Sequence, residues 1–281
     1  MDILPVFLFR GEVVDRVVIT SRQNEQIKWA KRLQQKKYRD QDALFYLEGV
    51  RIVEEALETG LVHSLYFTDR LSSIARGQEL VKHAQELKIP LWKCTEQVLS
   101  ELTDTVNSQG VVAIVHKPTW PLKTQGVLLI ADEIQDPGNM GTLLRTAVGA
   151  GVQGLLIVDG SVDLYNPKVL RSSMGAIFHL PHWFFSREAV LQLIASRGTA
   201  LVVADLVDAV NYWEANYPRD LAVVIGNEAR GVHADFRDRA NLRVKIPLMG
   251  PVESLNASVA AGVLLYEILR QNGSVHPPLL A

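Results

Sequence analysis

Three separated segments in the second half of the chain carry residue types that could do chemistry. The first runs Asp132-Glu133-Ile134-Gln135-Asp136-Pro137-Gly138-Asn139-Met140-Gly141 and continues to Arg145. The second is Ile225-Gly226-Asn227-Glu228-Ala229-Arg230-Gly231, and the third extends from Ile246 through Pro247, Gly250, Pro251 and Ser254 to Asn256 and Ser258. Each follows a short apolar run with the look of a strand. Each puts Gly, Asn, Ser or a charge where a strand gives way to a loop or helix. Ligands of open α/β sheets bind at the carboxyl ends of strands, so three such ends together describe one prospective site.

Within the first segment, Gly138 permits a tight turn and Asn139 sits near the start of a helix, as a cap for free N–H groups or as a ligand for substrate. Arg145 follows six residues on, among Leu143, Leu144, Ala147 and Val148, facing either solvent or a pocket. The Gly138-x-x-Gly141 spacing lacks the G-x-G-x-x-G fingerprint, which weighs against a nicotinamide cofactor. Glu228 is a carboxylate at a strand end; it can serve a ligand, or it can close its loop by an ion pair with Arg230. Pro247 and Pro251 exclude regular structure from the third segment. Ser254 is the expected cap of the next helix, with Asn256 and Ser258 in its first turns. The remainder of that helix is apolar all round, as buried helices are. Its small residues Ala257, Ala260, Ala261 and Gly262 allow close approach of this chain or of a second copy.

These loops need a frame. Apolar runs predict strands at Val127 to Ala131, Leu155 to Val158, Leu201 to Ala204, Leu221 to Ile225 and Val244 to Ile246. Periodicity predicts helices from Met140 to Val148, Pro167 to Met174, Arg187 to Ser196 and Ser254 to Arg270. Strands alternating with helices, several of them apolar throughout, imply a doubly wound α/β domain. Upstream, helices at Lys28 to Lys37, Gly49 to Glu58 and Ser73 to Leu87 alternate with strands at Val62 to Phe67, Leu91 to Lys93 and Val111 to Val115, a smaller α/β unit. Lys117-Pro118-Thr119-Trp120-Pro121 breaks the pattern as a linker would. The expected organisation is an extension at 1–18, a first domain at 19–117, a linker at 118–125, a second domain at 126–273 and a tail at 274–281.

The 281 residues are 48% apolar, with a formal net charge of −2, so any affinity for nucleic acid must come from a local patch. One is present: Arg22, Lys28, Lys31, Arg32, Lys36, Lys37 and Arg39 cluster with Glu25 opposing them. It reads as a solvated face or a phosphate-binding surface, with Trp29 and Tyr38 nearby to stack on bases or complete the core. The single cysteine, Cys94, fits a small core residue. No Cys/His cluster has metal-ligand spacing, no run is long enough to span a bilayer, and the first residues do not form a signal peptide. A cytoplasmic protein without metal or membrane partner is the expectation.

In order and residue types the three segments resemble the motifs of the SpoU (TrmH-type) RNA ribose 2′-O-methyltransferases of the SPOUT superfamily. The stretch Ile19-Thr20-Ser21-Arg22-Gln23-Asn24, with Lys28, Lys36, Lys37, Arg39 and Phe45-x-x-Glu48-Gly49-x-Arg51, is similar to the ribosomal-protein-like RNA-binding domain that many of these enzymes carry. The resemblance implies an α/β fold: a C-terminal SPOUT domain with a deep trefoil knot, preceded by the small α/β domain. It also implies a homodimer and S-adenosyl-L-methionine bound at the knot, contacted by Gly226, Ile246 and Leu255. Asn139, Arg145, Glu228, Ser254, Asn256 and Ser258 fall on the family's active-site positions, and the basic cluster on its RNA-binding domain. Ribosomal RNA is the expected substrate. The rival readings are the same chemistry on transfer RNA and a non-catalytic RNA-binding protein of ribosome assembly.

Overall fold

The computed structural model describes residues 18–105, 107–122 and 125–273; most of the expected extension and all of the expected tail lie outside them. The chain forms two compact units that meet at residues 118 and 119.

The first unit is a four-stranded sheet carrying helices. Its elements are α1 (Glu25–Arg32), α2 (Lys36–Asp42), β1 (Leu44–Glu48), α3 (Val50–Glu58), β2 (Val62–Phe67), α4 (Asp69–Ser72), α5 (Ala75–Glu86), β3 (Leu91–Lys93), α6 (Glu96–Leu99) and β4 (Val111–His116). The strand order is β1-β4-β2-β3, with β4 antiparallel to both β1 and β2 and β3 parallel to β2. Side chains alternate between faces. Leu44, Tyr46, Tyr66, Val112 and Ile114 join Ile27, Leu33 and Cys94 in one core, while α3 and α5 pack together beyond the other face.

Three expectations change here. The helix expected over Lys28 to Lys37 is two helices, because the Arg39 guanidinium turns back to the carbonyls of Leu33 and Gln34 at 2.8 and 2.7 Å and satisfies the chain where α1 ends. The helix expected over Ser73 to Leu87 is α5, whereas the short α4 just before it was not foreseen. Strand β1 was not foreseen; its run Leu44-Phe45-Tyr46-Leu47 lacks the polar alternation of a one-sided strand because both faces are covered.

The second unit has β5 (Val127–Ala131), α7 (Pro137–Gly149), β6 (Gly154–Val158), α8 (Pro167–Ser173), a 3-10 turn at Ala176–Phe178, β7 (His182–Phe185), α9 (Arg187–Arg197), β8 (Ala200–Ala204), β9 (Val210–Asn211), β10 (Leu221–Ile225), α10 (Ala234–Arg237), β11 (Leu242–Lys245) and α11 (Ala257–Gln271). Its seven strands are all parallel, in the order β7-β6-β5-β10-β8-β11-β9. β7, β9 and α10 were not anticipated; they are short and half-exposed, and their pattern is weak. Helices α7, α8 and α11 pack together. Val190 and Ile194 of α9 and Phe236 of α10 share a core with the sheet residues Leu128, Ile130, Val203 and Val224. The α7–α8 contact is close enough that a Cβ at Gly141 would lie 1.9 Å from Ser172 Oγ.

The chain leaves β5 toward β6 and β7, returns past β5 to lay down β8, and only then inserts β10 between β5 and β8. That reversal opens a crevice at the carboxyl ends of β5 and β10, where open α/β sheets bind ligands.

Candidate active site

The three sequence segments emerge at that crevice. The first leaves β5 through Asp132, which is 1% exposed, and Glu133, held at φ +57°. It then enters α7 with Asp136 as N-cap and Pro137 in the first turn. Asn139 is therefore not the cap; the Asp136 carboxylate accepts the Asn139 N–H at 2.8 Å, leaving the Asn139 side chain free to work elsewhere. The third segment ends in α11, whose N-cap is Asn256 and not Ser254. Ser254 is exposed in the loop before it.

Asn256 orders the first turn of α11. Its Oδ1 accepts from the backbone N–H of Ser258 at 2.9 Å and of Val259 at 3.3 Å, and from the Ser258 hydroxyl at 2.6 Å. With the oxygen committed to donors, the amide nitrogen must face the other way. It donates to Asn139 Oδ1 at 2.7 Å. Asn139 is thereby oriented too, and its Nδ2 donates to Glu228 Oε1 at 2.9 Å. Glu228 also accepts from the N–H groups of Asp136 and Gln135 at 3.3 and 3.4 Å. Burial raises its pKa, but the hydrogen bonds from Asn139 and the loop backbone outweigh this and leave it below the ordinary glutamate value. Glu228 is a carboxylate at neutral pH, an acceptor that holds donors in place. Ser258, Asn256, Asn139 and Glu228 thus form one polar chain joining three loops far apart in sequence.

Arg145 stands outside this chain. It is exposed on α7 and has no hydrogen bond or ion pair among the described residues. It shares an exposed face with Thr142 and Gly149, beside the outer face of α11, where Val259 and Tyr266 are 52% and 53% exposed. The helix expected to be buried all round is thus buried on one side, through Ala261, Leu264, Leu265 and Ile268.

Gly226 is a point of close approach: a Cβ there would lie 2.3 Å from Gly231 C and Val232 N. Between Ile246 and Leu255, only the N–H of Val252 finds a backbone acceptor among the described residues, at Gly250. Met249, Val252 and Leu255 are 97%, 56% and 36% exposed. This stretch therefore offers unspent backbone donors beside uncovered apolar side chains.

The sequence reading missed a second network. Glu133 accepts from Arg187 and from Arg230, each at 2.5 Å. This replaces the suggested Glu228–Arg230 pair. Asp132 accepts from Arg187 at 3.3 and 3.4 Å and from the His233 N–H at 2.8 Å. Asn227 donates to the Glu133 carbonyl at 2.9 Å and accepts from the N–H groups of Ala229 and Arg230. A cavity of about 230 Å³ opens beside it, lined by Asp132, Glu133, Asn227, Arg230, His233 and Arg237 among others; none of the residues assigned from the sequence lines it. Asp132, Glu133 and Asn227 stood inside the quoted segments, but nothing local marked Arg187.

The basic cluster is also revised. Arg39 is 4% exposed and spends its guanidinium on backbone carbonyls, so it is a structural residue and not part of an RNA surface. Arg22 and Lys31 both pair with Glu101, Lys28 with Glu25, and Lys36 with Asp40, so the patch is more nearly neutralised than the local sequence suggests. Arg32 lies over the Tyr38 ring, 4.1 Å from its centroid.

The chain resembles known proteins. Residues 126–266 match the SpoU rRNA Methylase family, and residues 24–113 match the MRM3-like substrate binding domain. The chain is 33% identical to the 23S rRNA (guanosine(2553)-2′-O)-methyltransferase RlmP of Bacillus subtilis, over 89% of this chain and 98% of that one. It is 30% identical to the mitochondrial rRNA methyltransferase 3 of Homo sapiens, over 83% of this chain and 69% of that one. Among solved structures, an RNA 2′-O ribose methyltransferase superposes with a TM-score of 0.78 at 33% identity, covering 91% of this chain and 99% of that one. An AdoMet-bound rRNA methyltransferase from Sinorhizobium meliloti does so at 0.81 and 28%, covering 90% and 97%. The class that sequence and fold resemble is thus the RNA ribose methyltransferases. The chain belongs to the SpoU rRNA methylase family.

Proposed function

We propose that this protein is an S-adenosylmethionine-dependent methyltransferase acting on a ribose 2′-hydroxyl of ribosomal RNA. The observation that carries the reading is the Ser258–Asn256–Asn139–Glu228 chain, which gathers four of the six proposed catalytic residues at one crevice. A protein that only bound RNA would have no use for a carboxamide fixed at both ends.

The residues fit the cofactor. Gly226 keeps two backbone segments in contact, and the stretch from Ile246 to Leu255 combines open N–H groups with exposed apolar side chains, as a nucleoside with an aliphatic sulfonium arm requires. Gly226, Ile246 and Leu255 would hold it. Bound there, it supplies an activated methyl on a sulfonium. The weak partner is the ribose hydroxyl, and the protein's task is to align it and lower the cost of its negative charge. Asn139 and Asn256 keep unused hydrogen-bonding capacity to position the ribose, and holding reacting groups in line contributes several kcal/mol (about 7–11 at most). A guanidinium is a poor general base, so Arg145 serves as a donor to the developing alkoxide, the proton leaving to phosphate or water. Glu228 holds Asn139 and the α7 entrance; Ser258 locks Asn256, and Ser254 lies at the mouth of the loop.

We also infer a trefoil knot and a homodimer. After β11 the chain returns across β8 and packs α11 against β10 and α7, the course a threaded C-terminus would take. The exposed Val259 and Tyr266 beside α7 suit a self-complementary interface and place Arg145 at its margin. Residues 19–117 would bind the RNA and residues 126–273 carry the reaction. No helix among the described residues is long and apolar enough to cross a membrane.

The test is methyl transfer from labelled S-adenosylmethionine to ribosomal and transfer RNA pools, with digestion to nucleosides. Label on a ribose of ribosomal RNA is the expected result. Label on a base would overturn the mechanism, and label confined to transfer RNA would overturn the substrate.

A further inference from the structure

The first unit carries an arrangement of rings that its fold does not require. β2 pairs with β4 as Val62 with Val115 and then Ser64 with Ile114, so His63 is an extra residue at an irregularity in the ladder. Bulges of this kind re-aim a side chain. Here the His63 ring lies between two others, its centroid 5.3 Å from that of Trp29 on α1 and 5.6 Å from that of His116 at the end of β4. Both histidines are exposed, and Trp29 is half-buried with one side against the core. Cations border the row. Lys28 precedes Trp29, and Lys117, next to His116, shares the Asp40 carboxylate with Lys36. Lys28 is paired in turn with Glu25, so these cations stand in ion pairs along the edge of the row.

We propose that Trp29, His63 and His116 form a stacking platform for unpaired RNA bases, with Lys28, Lys36 and Lys117 along the phosphates. The proposal rests on the reading of the protein as an RNA-modifying enzyme and adds where the substrate is gripped. Aromatic faces stack on any base, while basic side chains track the backbone. Partial burial and the neighbouring His116 hold the His63 pKa below the ordinary histidine value, so in mildly alkaline buffer its stacking contribution separates from the charge of the lysines.

The test uses the full chain at about pH 8, above the histidine range. The probes are a mixed-sequence single-stranded RNA and a strand of the same length made of abasic riboses. The double variant His63→Ala/His116→Ala is expected to bind the first probe about tenfold or more weakly, since each stacked base is worth about 1–3 kcal/mol. Its slope of log affinity against log salt should stay unchanged, whereas Lys36→Ala and Lys117→Ala should flatten theirs. The abasic strand should bind wild type no better than the variant. Quenching of tryptophan fluorescence by RNA should shrink in Trp29→Phe; if that variant misfolds, the histidine pair alone decides. Wild-type affinity in a double variant that melts normally would overturn the platform, as would equal binding of the two strands by wild type. Methyl transfer is scored separately. If wild type modifies no RNA, the enzymatic reading fails, while the comparison of strands still judges the platform.

Discussion

A single methyl group at Gly226 offers the sharpest test of the cofactor cradle. The Cβ of Gly226→Ala would lie 2.3 Å from Gly231 C and Val232 N and 2.5 Å from Gly231 O, against an optimum of about 3.5–4.0 Å between carbon atoms. All three are backbone atoms, so no side chain can swing aside, and the facing segment must retreat by about 1 Å or more. It is not free to do so. Gly231 N–H donates to the Asn227 carbonyl at 2.8 Å, Asn227 Oδ1 holds the amides of Ala229 and Arg230, and His233 N–H is fixed to the buried Asp132 at 2.8 Å. Relief of the overlap must break part of this set. Overpacking costs about 1–3 kcal/mol, a fall in melting temperature of about 3–10 °C for a unit of this size. Because Glu228 sits two residues away, a shift of about 1 Å should also lower turnover about 10²-fold. Calorimetric titration with S-adenosylmethionine, run where the variant is fully folded, should show affinity weakened by about tenfold or more. A variant that melts like wild type and keeps its cofactor affinity would refute the argument that this close approach shapes the cradle.

The same geometry sets other outcomes. Arg145→Ala should lose about 10²-fold or more in kcat, as lost oxyanion donors do, with cofactor affinity intact; near-normal turnover would remove Arg145 from the reaction. Glu228→Gln keeps the shape but turns an acceptor oxygen into a donor facing Asn139 and two loop amides. We expect kcat to fall about 10- to 100-fold with little change in cofactor affinity, and wild-type kcat would show that the Asn139 orientation does not matter. His182 is 5% exposed. Its Nδ1–H donates to the Leu180 carbonyl at 2.9 Å, so Nε2 accepts from Tyr165 at 2.9 Å. Burial lowers its pKa to about 4, against the opposing pull of the Leu180 carbonyl. A depressed histidine contributes stability that is complete above the unfolded pKa near 6.5 and is lost as pH falls toward 4, about 3 kcal/mol in all. Urea unfolding between pH 7.5 and 5 should show that slope in wild type and a flatter one in His182→Phe; equal slopes would mean that His182 is not buried neutral.

Much of the frame was legible because it rests on local patterns. The strands at Val127, Leu155, Leu201 and Leu221 are apolar throughout and are buried on both faces, so burial and sequence agree without reference to neighbours. Cys94 is a core residue, 2% exposed, as the usual burial of a free cysteine suggested. The short elements β7, β9 and α10 escaped because a few half-exposed residues carry too little periodicity to register. The break between α1 and α2 escaped for another reason: it depends on the Arg39 side chain reaching backward, and charge alone marked that residue as surface.

The sequence by itself determined which residue types stand at the strand ends and that they occur in three segments. It also determined that the chain alternates strand and helix in two units, because backbone propensity and hydrophobic period are encoded within a few residues of each position. Only the tertiary structure decided how those residues are spent. Asn256 and not Ser254 caps α11, Glu228 turns to Asn139 and not to Arg230, Glu133 bridges Arg187 and Arg230, and Arg145 is left open. The Glu228 and Glu133 contacts join groups separated by tens of residues in the chain. A hydrogen bond requires its partners within about 3 Å, and no local pattern encodes which distant donor will arrive at that distance.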